Sequence, residues 1–293
     1  MSNWRQYIAS DEEFKELVEN NRPIEVGSDF YCNSGVELYG ESGGMIDAVY
    51  DANIKAIRKI NDYNPIFHNS PNRDIALYND YLLNEDINTI IVDGIFGTGK
   101  TSTLCSHLVP ILSKGLNGEK NLEKVYISKP HESLGKDYGY LPGELMDKVA
   151  YEFASYYQYF DRFGQPGFAD KLISFNILEV VVFEYLRGRD LDSGWVILDE
   201  AQNTSVKEMI SFLSRIGDGA KLVILGDSSN YQIDKRGNNQ DNNGLTFVKD
   251  LYTTKKYAGF IELDTVSHIL RGQRVKDMYL TMRDGGGVDE CSN

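Results

Sequence analysis

Cysteine is scarce in this chain: Cys32, Cys105 and Cys291 are the only three in 293 residues. They are too few and too scattered for a disulfide framework or a zinc site, and a reducing compartment suits them best. No run of about 18 apolar residues occurs, which argues against a membrane span. A secretory signal is missing too. In place of a basic start and an apolar stretch, the first 20 residues carry Asp11, Glu12, Glu13, Glu16 and Glu19. The expected location is the cytoplasm. Positive charge is also short: 30 Lys and Arg against 44 Asp and Glu leave a formal net charge of −14. That weighs against a broad basic surface for duplex nucleic acid, since phosphate neutralisation supplies most of such affinity. A local basic groove stays compatible with it. The four histidines (His68, His107, His131, His268) lack metal-ligand spacing and read as local hydrogen-bonding residues. No nuclease constellation or RNase domain stands apart from the motifs below.

What is present divides unevenly. Residues 1–80 hold 14 acidic and 7 basic residues, a net of −7 and half of the whole excess. They read as an appended acidic region, partly helical. Ser10-Asp-Glu-Glu13 is a capping-box pattern that predicts a helix over 11–20 with Phe14, Leu17 and Val18 inward. A loop-rich patch follows to Gly44, with Tyr31-Cys32-Asn33 taken as structural. Ile46, Val49, Ile54, Ile57 and Ile60 then suggest a second helix. From about residue 81 to 283, short apolar runs alternate with helical patterns or long connections: 89–93, 125–128, 177–186, 195–199, 222–226 and 260–263. That alternation predicts an α/β domain with a parallel sheet covered by helices on both faces. Cys105 falls on one of its helices as a core residue. Residues 284–293 read as a flexible tail.

Gly94-Ile-Phe-Gly97-Thr98-Gly99-Lys100-Thr101 satisfies G-x-x-x-x-G-K-[ST], the phosphate loop. Its glycines let the backbone curl so that several N–H groups face phosphate oxygens. Lys100 neutralises β- and γ-phosphates, Thr101 offers a hydroxyl to Mg²⁺, and the helix from Lys100 through Thr101 and Ser102 adds its positive end. A strand enters the loop and a helix, expected to about Leu112, leaves it, as the motif requires. About 100 residues on, Trp195-Val-Ile-Leu-Asp199-Glu200 is an apolar strand ending in two carboxylates. Open α/β sheets bind ligands at that edge. Asp199 is thus the candidate for the metal shell and Glu200 for activating the attacking water. A third strand end, Leu222–Asp227, is followed by Gln232, which either senses the γ-phosphate or sits in a polar loop.

Residues 138–168 are rich in aromatics. Met146, Val149, Phe153, Tyr156 or Tyr157, and Phe160 follow helical spacing and read as core. Tyr151 and Tyr159 lie off that stripe and are the better candidates for stacking on single-stranded bases. The basic candidates for a groove are Lys129, Lys136, Arg187, Arg189, Arg271, Arg274 and Lys276.

Taken in order, GIFGTGKT (94–101), LGKDYGYLPGE (134–144), LRGRDL (186–191), VILDEAQN (196–203), FLSRIGDGAKLVILGD (212–227) and NNGL (242–245) resemble the PhoH-like family. Its members are P-loop ATPases with a RecA-like core similar to superfamily 1 helicases. The short, acidic form resembles virus-encoded members. The likeness runs over residues 88–280 and implies an ATP- and Mg²⁺-dependent ATPase. Lys100, Thr101, Asp199 and Glu200 would hold the roles above, Gln202 and Asn203 would lie beside the nucleotide, and Gln232 would sense the γ-phosphate. Arg271 matches the late arginine that meets transition-state charge, provided that a small insertion is accepted; without it Ser267 takes the place. Gln232 is separated from Gly226-Asp227 by more residues than the family pattern has. The adenine-reading glutamine expected before the first strand is not apparent near Asn72-Arg73-Asp74. By resemblance the partners are ATP, single-stranded RNA or DNA, and further copies of the chain, as a homo-oligomer or ring. Two alternatives stand beside the motor: an ATPase switch acting on protein partners, and a nucleotide-binding module with little hydrolysis.

Overall fold

The computed structural model describes residues 4–27, 30–64, 66, 70–119, 123–130, 152–183, 189–229 and 232–283. The expectations for His68, His131, Lys136, the 134–144 stretch, Tyr138, Tyr140, Met146, Val149, Tyr151, Arg187, Cys291 and the tail lie outside these residues.

The N-terminal part is built on a five-stranded sheet. Its strands are β1 (Trp4–Ala9), β2 (Ile24–Glu25), β3 (Gly35–Gly40), β4 (Met45–Asp51) and β5 (Ala56–Lys59), in the order β1-β3-β4-β5-β2. Helix α1 (Asp11–Asn20) starts where the capping box predicts: Ser10 Oγ accepts from Glu13 N–H, and Glu13 Oε2 accepts from Ser10 N–H. Leu17 is buried in the core of this sheet, with Phe14 packed against it. The helix expected over residues 46–60 does not form; β4 and β5 stand there as an antiparallel pair. Ile46, Val49, Ile54, Ile57 and Ile60 are all β-branched, which lowers helix and raises strand preference. Their spacing is also broken at Asp51–Lys55, a turn in which Lys55 takes a φ of 54°. The loop-rich patch likewise holds β2 and β3.

The larger part is a six-stranded sheet with every pairing parallel. Helix α2 (Arg73–Leu83) leads into β6 (Thr89–Gly94), followed by α3 (Lys100–Leu116) and β7 (Val125–Lys129). Then come α4 (Ala154–Phe163), α5 (Phe168–Ser174), β8 (Leu178–Val182), β9 (Leu191–Leu198), α6 (Val206–Leu213) and β10 (Ile216–Gly226). Helix α7 (Gly244–Tyr252), β11 (Ala258–Leu263) and α8 (Gln273–Arg283) complete it, in the strand order β11-β6-β10-β9-β7-β8. Each run expected to be a strand contains one, although β9 and β10 begin earlier than their apolar stretches. All six residues of β6 are buried, as a central strand covered on both faces requires. Side chains alternate between two cores. Ile90, Val92, Ile197 and Val223 face α3 and α4, whereas Ile91, Val196, Leu198 and Ile224 face α6 and α7. Cys105 lies in the first core, as expected, and burial pushes its thiol well up. Phe153, Tyr156 and Phe160 are buried there too, so the aromatic stripe is core over its described length. Among the described residues, no helix is long and apolar enough to cross a membrane.

Several buried polar groups join the two parts. Asn33, with a φ of 56°, donates through Nδ2 to the carbonyls of Lys256 and Ala258, each at 2.8 Å, beside β11. Arg58 on β5 donates to Asp51 at 2.8 Å and grips both Asp80 oxygens on α2, at 2.6 and 2.9 Å. Within the larger part, Lys221 on β10 caps the C-terminal end of α2 by donating to the carbonyls of Tyr81, Leu82 and Asn84. Burial lowers that ammonium's pKa to about 8. Removing one partner of a buried ion pair leaves the other charge uncompensated. Arg58→Met should therefore lower the unfolding free energy by about 3 kcal/mol, read as a fall in the urea midpoint.

Candidate functional site

The site lies where strands β6, β9 and β10 end at one edge of the sheet. Parallel register sets this: Gly226 pairs with Asp93, and Leu198 pairs with both Ile224 and Ser128. Strand β10 sits between β6 and β9, so the phosphate loop and the acidic strand end flank it.

After β6 the chain turns through Gly97 (φ 77°) and Gly99 (φ 91°), a region that side-chain-bearing residues rarely enter. At Gly94 a Cβ would lie 2.7 Å from that of Leu263, so the strand exit is also sterically closed to larger residues. Thr98 is buried and its hydroxyl donates to Ile95 O at 2.8 Å, which braces the turn. The Lys100 ammonium donates to the carbonyls of Gly94 and Ile95 across the loop. Helix α3 begins at Lys100 with no side-chain cap on its first amides, while Ser102 Oγ returns to Gly99 O at 3.0 Å. Uncapped amides at a helix start are an anion seat.

Opposite stands Asp199, whose backbone N–H donates to Ser128 O at 2.9 Å. Its Oδ2 is 3.2 Å from Lys129 Nζ, and that ammonium also lies over the Phe153 and Tyr156 rings. Lys129, a groove candidate by sequence, is thus committed to the buried acid. Glu200 follows with a φ of 55°. Burial and then the neighbouring Asp199 charge raise its pKa, opposed by Gln202, Lys129 and Lys100. Gln202 is the hub: Nε2 donates to Glu200 Oε2 at 2.8 Å and to the Gln232 carbonyl at 3.0 Å, while Oε1 accepts from Asp227 N–H at 3.0 Å. Gln232 therefore joins the site through its backbone. Asn203 accepts from Asp234 N–H at 2.9 Å. The NNGL stretch packs here as well. Asn243 caps α7, and Gly244 presses on Thr204 so closely that a Cβ would overlap the threonine hydroxyl.

Magnesium is a hard cation that takes one or two carboxylates together with substrate phosphates. Thr101, Asp199 and Asp227 supply oxygens of that kind. Asp227 Oδ2 is buried with no hydrogen-bond partner among the described residues, and burial raises that carboxyl's pKa. No cluster of three or more His, Cys, Asp or Glu able to hold a metal occurs among the described residues. These groups fit Mg²⁺.

Arg271 lies over the phosphate loop of its own chain. Its N–H donates to Gly97 O at 3.3 Å, that of Leu270 does so at 2.9 Å, and the Arg271 methylenes sit against Gly97. Ser267 instead bonds Thr265 in the preceding turn. Arg189 pairs with Glu179 of edge strand β8 at 2.7 Å, four strand positions from β6. Arg274 is exposed on α8. Sequence reading missed a second network: Asp93 at the end of β6 accepts from Ser228 N–H at 2.9 Å and pairs with Lys249. The acid before Gly94 was the signal for it.

A parallel sheet with a glycine-rich phosphate loop on one strand end, and an acidic pair on the strand beyond its neighbour, defines a P-loop NTPase fold. The chain belongs to the PhoH-like family, whose sequence model, described as PhoH-like protein, matches residues 72–282. It is 30% identical to Protein PhoH2 of Bacillus subtilis over 256 residues, covering 84% of this chain and 54% of that one. It is 33% identical to a PhoH-like protein of Mycobacterium bovis over 212 residues, covering 71% and 57%. The chain thus spans about half the length of the curated relatives it matches. A solved arterivirus nonstructural protein 10 helicase in complex with DNA aligns with 86% of this chain and 53% of its own, at 12% identity and a TM-score of 0.30. That likeness is too slight to carry an argument.

The raised Glu200 pKa has a consequence for stability. Between its ordinary 4.5 and the higher folded value, the folded state holds the proton more than the unfolded state does. Stability is then present at low pH and lost as pH rises through the folded pKa. Glu200→Gln should melt higher than the parent at neutral pH, with the gain vanishing on acidification, as thermal scans across pH would show.

Proposed function

We propose that this chain is a Mg²⁺-dependent ATPase, a helicase-like motor on single-stranded nucleic acid, RNA ahead of DNA. The observation that carries the hydrolytic reading is the string Glu200–Gln202–Asp227, with Gln232 tied to the same glutamine, facing the Lys100 loop. It supports a reading in which the half-buried Glu200 carboxylate accepts a proton from water beside a γ-phosphate seated on the loop. In this reading Lys100 and the loop amides hold the phosphates, and Thr101 and Asp199 provide the metal shell. Glu200 takes a proton from the attacking water as the bond to the β–γ bridging oxygen breaks, releasing ADP and phosphate. The Gln232 side chain senses the γ-phosphate, and Arg271 meets the charge growing on the transferred group. Bound Mg²⁺ neutralises phosphate charge. The motor reading is supported by the family and by the exposed cations Arg271, just before α8, and Arg274 in its first turn. We further propose a cytoplasmic homo-oligomer, with residues 1–80 an appended region on an ATPase domain of residues 81–283.

One observation favours the switch reading. Trp4 Nε1 donates to Asp74 at 2.7 Å, and Asp74 meets His268 Nε2 at 3.0 Å, three residues before Arg271. The N-terminal sheet thus reaches the segment that covers the phosphate loop, as a docking region controlling the ATPase would.

Steady-state hydrolysis with and without single-stranded RNA decides between them. Lys100→Ala should abolish turnover, and Arg271→Ala should lower kcat by about a hundredfold. Stimulation by RNA that falls steeply with salt supports the motor; Lys100-dependent turnover indifferent to RNA supports the switch; no turnover above the Lys100→Ala control defeats both.

A further inference from the structure

The cavity over the phosphate loop has a wall that phosphate binding does not use. It encloses about 400 Å³ between Gly97–Ser102, the Leu270–Arg271 segment, and Tyr159, Arg162 and Phe163 of α4. The two rings, four residues apart on one helix face, stack with centroids 5.7 Å apart and planes inclined by 14°. The Arg162 guanidinium carbon lies 5.9 Å from the Phe163 centroid, and that side chain is exposed. Tyr156 and Phe160 on the same helix fill the core completely, whereas Tyr159 and Phe163 are only half-buried. A ligand whose phosphates occupy the loop and the first amides of α3 would carry its next portion past Ser102 to this aromatic wall.

We propose that Tyr159 and Arg162 form the nucleobase seat, receiving a purine by its flat face, and that this seat distinguishes bases poorly. The proposal rests on the ATPase reading above. Stacking tolerates any base because every base has a π-face, and an adjacent guanidinium adds attraction without a directional code. Of the positions before β6 where a base-reading amide was sought, Arg73 pairs with Glu37 and Asp74 is held between Trp4 and His268. Asn72 spends its Oδ1 on the α2 cap, accepting from Ile75 N–H at 2.9 Å, and its Nδ2 is buried without a partner among the described residues, so it is not presented to the cavity that Tyr159 lines. Tyr159 has the right chemistry for stacking, and the structure directs it to the nucleotide cavity.

Calorimetric titration of the full chain with Mg²⁺ and ATP, GTP or inorganic tripolyphosphate tests this. Tyr159→Ala should weaken ATP and GTP by about tenfold while tripolyphosphate changes less than about twofold. Tyr159→Phe should retain parental affinity, and ATP and GTP should bind the parent within about fivefold of each other. If Tyr159→Ala weakens tripolyphosphate as much as ATP, the ring is a packing element and the seat is wrong. Unchanged ATP affinity in Tyr159→Ala, with Lys100-dependent hydrolysis intact in the parent, overturns the seat alone. A preference for ATP over GTP of about a hundredfold or more overturns the weak discrimination. A parent that binds neither ATP nor tripolyphosphate removes the seat and the ATPase reading together.

Discussion

Asp199 and Glu200 are consecutive carboxylates at a buried strand end, and like charges so close oppose each other's ionisation. The fold answers with placed cations. Lys129 reaches across from the neighbouring strand to one Asp199 oxygen, while the charges of Lys129 and Lys100 both favour ionised Glu200. Neither lysine can be placed without the parallel register that brings β7, β9 and β6 to a common edge. The residual strain appears as a Glu200 carboxyl that holds its proton more firmly than an ordinary glutamate. A group in that condition costs stability at neutral pH.

The same edge is tied laterally. Gln202 spans from the acidic strand end to the end of β10 and on to Gln232. Asn238 donates to the carbonyls of Gln202 and Thr204, each at 2.9 Å, so the polar loop after β10 is fastened to the DEAQN turn. Three sequence stretches between Glu200 and Asn238 thereby become one hydrogen-bonded surface. The motifs belong together because their backbones satisfy one another, as well as through any ligand they share.

Much of this was legible in the residues. Glycine at 97 and 99, apolar runs closing in Asp199 and Glu200, and a capping box at Ser10 each have a short-range physical cause, and each was read correctly as local structure. The 46–60 segment reads as a helix because the spacing of its five apolar residues suits a helical stripe as well as a bent hairpin, and pairing with β3 decides for the hairpin that their β-branching favours. Lys129 and Lys249 were opaque for a different reason. A lysine's burial depends on an acid that lies 70 or more residues away in sequence, here Asp199 and Asp93. Tyr159 lies off the core stripe by its spacing, but which cavity it faces depends on how α4 packs on α3.

The Gly97 carbonyl accepts hydrogen bonds from both Leu270 and Arg271. A peptide plane can aim its oxygen in only one direction, so turning Gly97 to present a different face would release two amides at once. The 270–271 segment continues directly into α8, and Tyr279 of that helix packs with Ile95 and Phe96 of the loop. Loop and helix are therefore geared together at two points. A rotation of a single peptide in the loop would be read out as displacement of an entire helix at the protein's surface.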